Sequence, residues 1–260
     1  MSFKYSGPRL NNHKVTIAET WESMEELARQ LLDSDERVFG FDTEMVDARI
    51  SQQYMRMMPN GIKYGPTMMI QLATMNHVYL FHFYRMLGTP PQQWELPPLL
   101  QRILRSDKYI KVGIATHNDT EGLNKTFDIG GIVQLCDLRA FGVSFGLPFN
   151  SLRDVAVWCG RNDIDKQTPH DWTYTLYGGE AVRCDAIEYA ALDAIVCRQA
   201  HDKLFRQVLP ITPILHSPSS STLVSATNQE VQRTAKKYNN ETRIRVIVPV
   251  TVGGPKTRHD

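Results

Sequence analysis

Two short segments, far apart in this sequence, place acidic side chains at spacings that bring them onto one face of a regular element. The first, FDTE at 41–44, ends an apolar run that predicts a buried strand. Residues two apart in a strand point the same way, so Asp42 and Glu44 project together. The second, YAALD, lies in a predicted helix, where Tyr189 and Asp193 are stacked one turn apart.

A third acidic position, Asp119, follows another apolar, strand-like run. If these carboxylates meet, two unit charges about 4 Å apart repel by about 4 kcal/mol at an effective dielectric of about 20. Bound cations relieve that repulsion, and ligands that are all carboxylates favour Mg²⁺ or Mn²⁺. Asp137 also ends a strand-like run, but we interpret it as a helix cap or as a structural partner of Arg139.

The motifs at 42–44, 118–119 and 189–193 resemble the three exonuclease motifs of the DEDD superfamily of 3'-5' exonucleases. The tyrosine subclass, which includes RNase D and the Werner-type exonuclease domains, is the better match. The histidine subclass has a histidine five residues before its last aspartate, and that position is Glu188 here.

The resemblance covers about residues 15–206 and implies a ribonuclease-H-like α/β fold. We expect a mixed five-stranded sheet with helices on both faces. Apolar runs predict the same arrangement, a three-strand meander followed by strand–helix–strand. The five strands are expected at 38–41, 67–74, 78–83, 110–114 and 132–135.

The resemblance also implies a reaction, the metal-dependent hydrolysis of phosphodiester bonds from the 3' end with release of nucleoside 5'-monophosphates. Two divalent ions, Mg²⁺ or Mn²⁺, are expected. In the family pattern Asp42 contacts both ions, Glu44 and Asp193 hold the one that activates water, and Asp119 completes the second. Tyr189 is expected to orient the attacking water.

Another class of function remains open at the level of sequence. The chain could be a catalytically inactive exonuclease-like module that binds RNA or scaffolds a nucleic-acid-processing complex. Such modules usually lose one or more acids, whereas all five motif positions are filled here. An unrelated phosphohydrolase that uses the same acids would lack the tyrosine at its helical spacing.

The predicted partner is the single-stranded 3' end of DNA or RNA, and the sequence does not choose between the two. A connection at 45–66 interleaves basic and aromatic residues, which suits phosphate contact and base stacking. A lid whose methionines pack on the body is an equally good interpretation of it. The predicted substrate-binding residues are Thr43, Met45, Asn118, Arg49, Arg56, Lys166 and Trp172.

Composition sets the domain organisation. The chain has 260 residues, 42% hydrophobic and 22% charged, and a net charge of +1 that does not by itself indicate a nucleic-acid binder. We expect an exonuclease domain at 1–209, then a Pro/Ser linker and a basic tail with an edge strand at 210–260. No apolar run reaches the roughly 18 residues that span a bilayer, and the first residues are not a signal peptide. These features predict a nuclear or cytoplasmic protein without a membrane partner; its protein partners are unknown from the sequence.

Overall fold

The computed structural model describes residues 2–10, 12–45, 66–83, 95–162, 164 and 184–208. Within these ranges the chain forms one mixed seven-stranded sheet and six α-helices. The strands are β1 (Ser2–Tyr5), β2 (Lys14–Ala18), β3 (Val38–Met45), β4 (Thr67–Ala73), β5 (His77–His82), β6 (Ile110–Gly113) and β7 (Leu135–Asp137). The helices are α1 (Trp21–Asp33), α2 (Pro98–Arg105), α3 (His117–Phe127), α4 (Leu138–Phe145), α5 (Leu152–Trp158) and α6 (Cys184–Val208).

The strand order is β1-β2-β5-β4-β3-β6-β7. Strands β3, β4 and β5 form the predicted antiparallel meander, and β6 and β7 extend it in parallel on the other side of β3. The predicted α/β fold is therefore confirmed. The sheet has seven strands instead of five because β1 and β2 add to the edge at β5, where β2 pairs in parallel.

The last strand begins three residues later than the sequence predicted. The predicted segment 132–135 overlaps β7 only at Leu135. Gln134 has a φ of +56°, in the left-handed region, and so interrupts the extended backbone just before the strand. Val133 is 41% exposed, so its apolar side chain was a misleading strand signal.

The core of the sheet is built around β3 and α6. Phe39 and Phe41 of β3 are buried, and the buried residues of α6 that pack in the same cluster are mainly alanines. Small side chains let a helix lie close to a sheet, which matters for the site below. The alanines are Ala186, Ala190, Ala191 and Ala194.

Local signals account for the helix and the hairpin that precede the site. Thr20 and Ser23 form the capping box that starts α1. The turn between β4 and β5 closes with a 2.8 Å hydrogen bond from Thr74 N to His77 O.

The connection at 45–66, apart from Met45 and Pro66, and the predicted linker, tail and edge strand beyond 208 lie outside the described residues. In the described part of the chain, every helix is too short or too polar to cross a membrane.

Candidate active site

Three carboxylates that are distant in sequence meet at one end of the sheet. Asp42 and Glu44 lie in the second half of β3, and Asp193 lies in the middle of α6. One carboxylate oxygen from each residue lies within 4.8 Å of the other two. The predicted same-face placement of Asp42 and Glu44 is therefore what brings both to α6.

A glycine sets how closely α6 approaches β3. Gly40 lies two residues before Asp42 and on the same face of the strand. A Cβ atom at Gly40 would stand 1.9 Å from Ala194 O and 2.8 Å from Arg198 N. Ala194 follows Asp193 directly, so the glycine allows the contact that places the Asp193 carboxylate beside β3.

Asp119 lies in the first turn of α3 and is not one of the three carboxylates of this cluster. It is only 8% exposed, and Thr43 Oγ1 donates a 2.6 Å hydrogen bond to its Oδ1. Thr43 stands between Asp42 and Glu44 and points to the opposite face of β3. Burial raises the pKa of the Asp119 carboxyl to about 6; the hydrogen bond from Thr43 opposes that rise and the charge of Asp137 adds to it.

The turn that delivers α3 is held by Asp137. Its carboxylate accepts hydrogen bonds from Ala115 N at 3.1 Å, Thr116 N at 3.0 Å and Thr116 Oγ1 at 3.2 Å. Ala115 has a φ of +53°, a conformation that a non-glycine residue adopts only when its surroundings hold it there. Asp137 also caps α4 through Arg139 N at 2.8 Å, so the cap that the sequence predicted is confirmed.

Glu44 is held by a residue that the sequence analysis did not single out. Gln71 of β4 lies opposite Asp42 in the strand pairing, and its Nε2 donates a 3.0 Å hydrogen bond to Glu44 Oε1. Gln71 is fully buried, and its own Oε1 has no hydrogen-bond partner among the described residues. A polar residue inside the otherwise apolar run MMIQLA was the signal that could have drawn attention to it.

Tyr189 stands one helical turn before Asp193 on α6, as its spacing predicted. It is half-buried and packs against the main core cluster. The phenol is therefore fixed on the helix face that also carries Asp193.

The structure describes three of the predicted substrate-binding residues. Met45 is half-buried after a register shift at the end of β3, and a Cβ at Gly122 of α3 would stand 2.5 Å from its Sδ. Asn118 is exposed beside Asp119. The Thr43 hydroxyl is buried and bonded to Asp119, so it is not open to a substrate. The other four, Arg49, Arg56, Lys166 and Trp172, lie outside the described residues.

The acidic cluster fits a hard divalent cation. Oxygen ligands on opposite sides of Mg²⁺ lie about 4.2 Å apart at a metal–oxygen distance of about 2.1 Å. The three carboxylate oxygens lie within 4.8 Å of one another, near enough for small side-chain movements to bring them to one ion. All the donors are carboxylates, the chemistry that Mg²⁺ and Mn²⁺ prefer.

Comparison with known proteins adds the family. The sequence profile described as 3'-5' exonuclease matches residues 15–209 of this chain and spans every acid described above. The chain belongs to the 3'-5' exonuclease family. Membership confirms the resemblance to the DEDD superfamily and supports nuclease activity. No curated protein sequence matches the exonuclease closely enough to count as a relative.

Solved structures share the fold of the exonuclease. The catalytic core of RRP6 from Trypanosoma brucei is 19% identical with a TM-score of 0.59, over 85% of this chain and 54% of that chain. Escherichia coli RNase D is 21% identical with a TM-score of 0.54, over 83% and 50%. Brucella melitensis NrnC, bound to pGG, is 12% identical with a TM-score of 0.50, over 81% and 88%. The exonuclease chain thus spans about half the length of the RRP6 and RNase D structures.

Proposed function

We propose that the protein is a metal-dependent 3'-5' exonuclease of the tyrosine subclass. It would hydrolyse phosphodiester bonds from the 3' end of a nucleic acid and release nucleoside 5'-monophosphates. The observation that carries this proposal is the meeting of Asp42, Glu44 and Asp193 within 4.8 Å in a chain of the exonuclease family. Such a concentration of buried and half-buried acids opposes folding unless a cation compensates it.

The residues of the site divide between two metal positions. Asp42, Glu44 and Asp193 would hold one divalent ion, and Asp119, which lies outside this cluster, would complete the second together with Asp42. Bound at these positions, Mg²⁺ or Mn²⁺ would lower the pKa of the attacking water and stabilise the leaving 3'-oxygen.

The protein's own side chains prepare these ligands. Gln71 fixes one oxygen of Glu44, and Thr43 fixes one oxygen of Asp119. Both donors are uncharged, so they orient the acids without neutralising the negative charge that attracts a cation. Tyr189, on the same helix face as Asp193, would orient the attacking water through its phenol.

The proposed substrate is the single-stranded 3' end of DNA or RNA. Two proteins that share the fold support a nucleic-acid substrate: NrnC is bound to pGG, and RNase D is described as an exoribonuclease. Met45, whose side chain lies next to Gly122, would contact the terminal base. Asn118 would face the terminal nucleotide. The remaining predicted contacts are Arg49, Arg56, Lys166 and Trp172.

A test uses purified protein, Mn²⁺ and a 5'-labelled single-stranded oligonucleotide, in DNA and RNA versions at stated salt. The wild type should shorten the strand stepwise, whereas Asp42→Ala and Asp193→Ala should bind it without cutting. Asp35→Ala, at an exposed acid away from the site, is the matched control and should cut normally. Thermal unfolding of each variant confirms that it is folded.

Two outcomes would contradict the proposal. Normal cutting by both Asp42→Ala and Asp193→Ala would exclude this site. A wild type that binds RNA but is inert with every divalent ion tried would favour the non-catalytic scaffold instead. A second oligonucleotide, blocked by a 3'-phosphate, checks the direction of attack. A 3'-5' enzyme should shorten it more slowly than the unblocked oligonucleotide.

A further inference from the structure

The amino-terminal segment of the chain is tied to the helix that carries Tyr189 and Asp193. Glu188, near the start of α6, is only 6% exposed. Tyr5 OH donates a 3.1 Å hydrogen bond to Glu188 Oε1, and Arg9 Nε donates a 2.7 Å hydrogen bond to Glu188 Oε2. Each oxygen of this buried carboxylate therefore has its own donor from the amino terminus, about 180 residues away in sequence.

A third residue of the segment is shaped to the same carboxylate. A Cβ at Gly7 would stand 1.8 Å from Glu188 Oε1 and 2.8 Å from Tyr5 OH. Any larger side chain at this position would displace Glu188 or Tyr5. We name Tyr5, Gly7 and Arg9 together the amino-terminal clamp.

The clamp is itself anchored to the rest of the fold. Arg161 Nη2 donates a 2.7 Å hydrogen bond to Arg9 O, and Leu10 is fully buried in the main core. Burial raises the pKa of the Tyr5 phenol to about 12, with the hydrogen bond to Glu188 adding to the rise. The Tyr5 phenol thus stays protonated, and able to donate, at neutral pH.

The position of Glu188 gives the clamp its significance. It immediately precedes Tyr189, and α6 is held a second time where Ala194 packs on Gly40. Tyr189 and Asp193 therefore lie between two contacts that fix the helix to the sheet. We expect loss of the first contact to loosen the turn that carries Tyr189, although Ala186 and Ala190 keep it packed in the core, while the second contact still holds Asp193.

We propose that the amino-terminal clamp positions Tyr189 for catalysis through Glu188. The proposal rests on the nuclease function above, and it assigns Tyr5, Gly7, Arg9 and Glu188 as positioning residues that touch neither substrate nor metal. A purely structural clamp would lower the stability of the fold and leave the turnover of the folded molecules unchanged. A positioning clamp lowers the turnover itself.

The experiment compares Arg9→Met, Glu188→Gln and the double variant, with kcat and KM measured well below the unfolding temperature. We expect kcat to fall about 10–100-fold with KM for the oligonucleotide and the Mn²⁺ requirement unchanged, because small misplacements of catalytic groups have effects of this size. The double variant should lose no more than the worse single variant, because both changes break the same interaction.

Two further variants keep the test informative. Tyr5→Phe removes one hydroxyl and keeps the ring, so it should fold even if Glu188→Gln does not, and should lower kcat about threefold, in line with one weak hydrogen bond. Arg29→Met breaks an ion pair with Glu26 on the exposed face of α1 and is the matched control. It should leave kcat and KM at wild-type values.

Hydrogen exchange separates this proposal from the nuclease assignment. In Arg9→Met the amides of residues 185–189 should exchange faster than in the wild type, whereas those near Ala194 should not. Unchanged exchange, or kcat equal to wild type in folded Arg9→Met and Glu188→Gln, would overturn the clamp. An inert wild type would overturn the nuclease function and with it the role in turnover, and exchange would still decide whether the clamp orders this turn.

Discussion

At the scale of single residues, the site depends on neutral side chains that hold acids in place. Thr43 holds Asp119, and Gln71 holds Glu44. Gln71 is the clearer case because only one end of its amide is used. Its Nε2 donates to Glu44, while its Oε1 is buried and finds no partner in the part of the chain that the structure describes. A buried, unpaired carbonyl oxygen costs about 1–3 kcal/mol of stability. Gln71 therefore orients Glu44 and at the same time lowers the stability of the fold.

One substitution of Gln71 should therefore preserve or raise the stability of the fold and weaken metal binding. Gln71→Leu keeps the buried volume and removes both the unpaired oxygen and the hydrogen bond to Glu44. We expect the free energy of unfolding in EDTA to stay the same or to rise. The Mn²⁺ concentration for half-maximal cutting should rise about 10–100-fold, the usual effect of losing a group that orients a metal ligand. Metal titrations and denaturant unfolding measure the two quantities.

The control for this substitution is Gln30→Leu. Gln30 Nε2 donates to Glu26 Oε1 at 3.3 Å, so the same type of hydrogen bond is lost, but on the exposed surface of α1. Metal dependence should not change in this variant. An unchanged Mn²⁺ requirement in Gln71→Leu would show that Glu44 needs no orientation from β4.

At the scale of elements, the sequence predicted the parts whose signals are local. Strands β3 to β6 coincide with the apolar runs of the sequence. Strands β1 and β2 were not predicted; β2 pairs with β1 and also with β5, which lies about 60 residues away in sequence. The spacing within 42–44 and 189–193 predicted which acids share a face, but it could not predict how close α6 lies to β3. That distance depends on Gly40.

Gly40→Ala tests the importance of this helix–strand contact. The new methyl group would meet Ala194 O and Arg198 N, which are backbone atoms that cannot rotate away. We expect a loss of about 1–3 kcal/mol in the free energy of unfolding, typical of overpacking. Asp193 should also be moved from Asp42 and Glu44, so cutting by the folded protein should fall at least about tenfold. Denaturant unfolding and single-turnover cutting measure the two effects.

Gly142→Ala provides the comparison for Gly40→Ala. A Cβ at Gly142 would stand 2.7 Å from Phe149 Cβ, in the second core cluster and away from the acids. This variant should lose similar stability and retain its turnover when folded. Equal turnover in Gly40→Ala and Gly142→Ala would show that the site tolerates a shift of α6.

At the scale of the whole molecule, the acids could be recognised from the sequence, whereas the residues that hold them could not. Gln71 lies within an apolar strand, Asp137 was interpreted as a helix cap or a partner of Arg139, and Arg9 belongs to a segment outside every motif. Each of them acts through a contact between residues that are distant in sequence, which periodicity does not encode. Catalytic motifs are readable because their chemistry restricts the residue type, whereas many residue types can support them.

Lys111 also connects two elements, β6 and the end of α2, and its protonation affects the stability of the whole fold. It is fully buried on β6, and its Nζ donates to three carbonyl oxygens near the end of α2. The distances are 3.2 Å to Ile103 O, 3.0 Å to Ser106 O and 2.7 Å to Tyr109 O. Burial lowers the pKa of the Lys111 ammonium to about 7 from its usual 10.5, and the charge of Asp107 opposes the fall.

The shifted pKa predicts a pH dependence of stability. Between pH 7 and 10.5 the unfolded chain keeps a proton on Lys111 that the folded chain releases, so this residue makes the free energy of unfolding rise with pH. The rise is at most about 1.4 kcal/mol per pH unit, and the three carbonyl acceptors, which favour the ammonium, reduce it. Lys111→Met removes the titrating group, so the stability of the wild type relative to this variant should increase from pH 7 to pH 9.

The control is Lys108→Met, at an exposed lysine nearby, whose free energy of unfolding in denaturant should change with pH as that of the wild type does. A flat difference between wild type and Lys111→Met would mean that the three carbonyls outweigh burial and keep Lys111 charged in the folded protein.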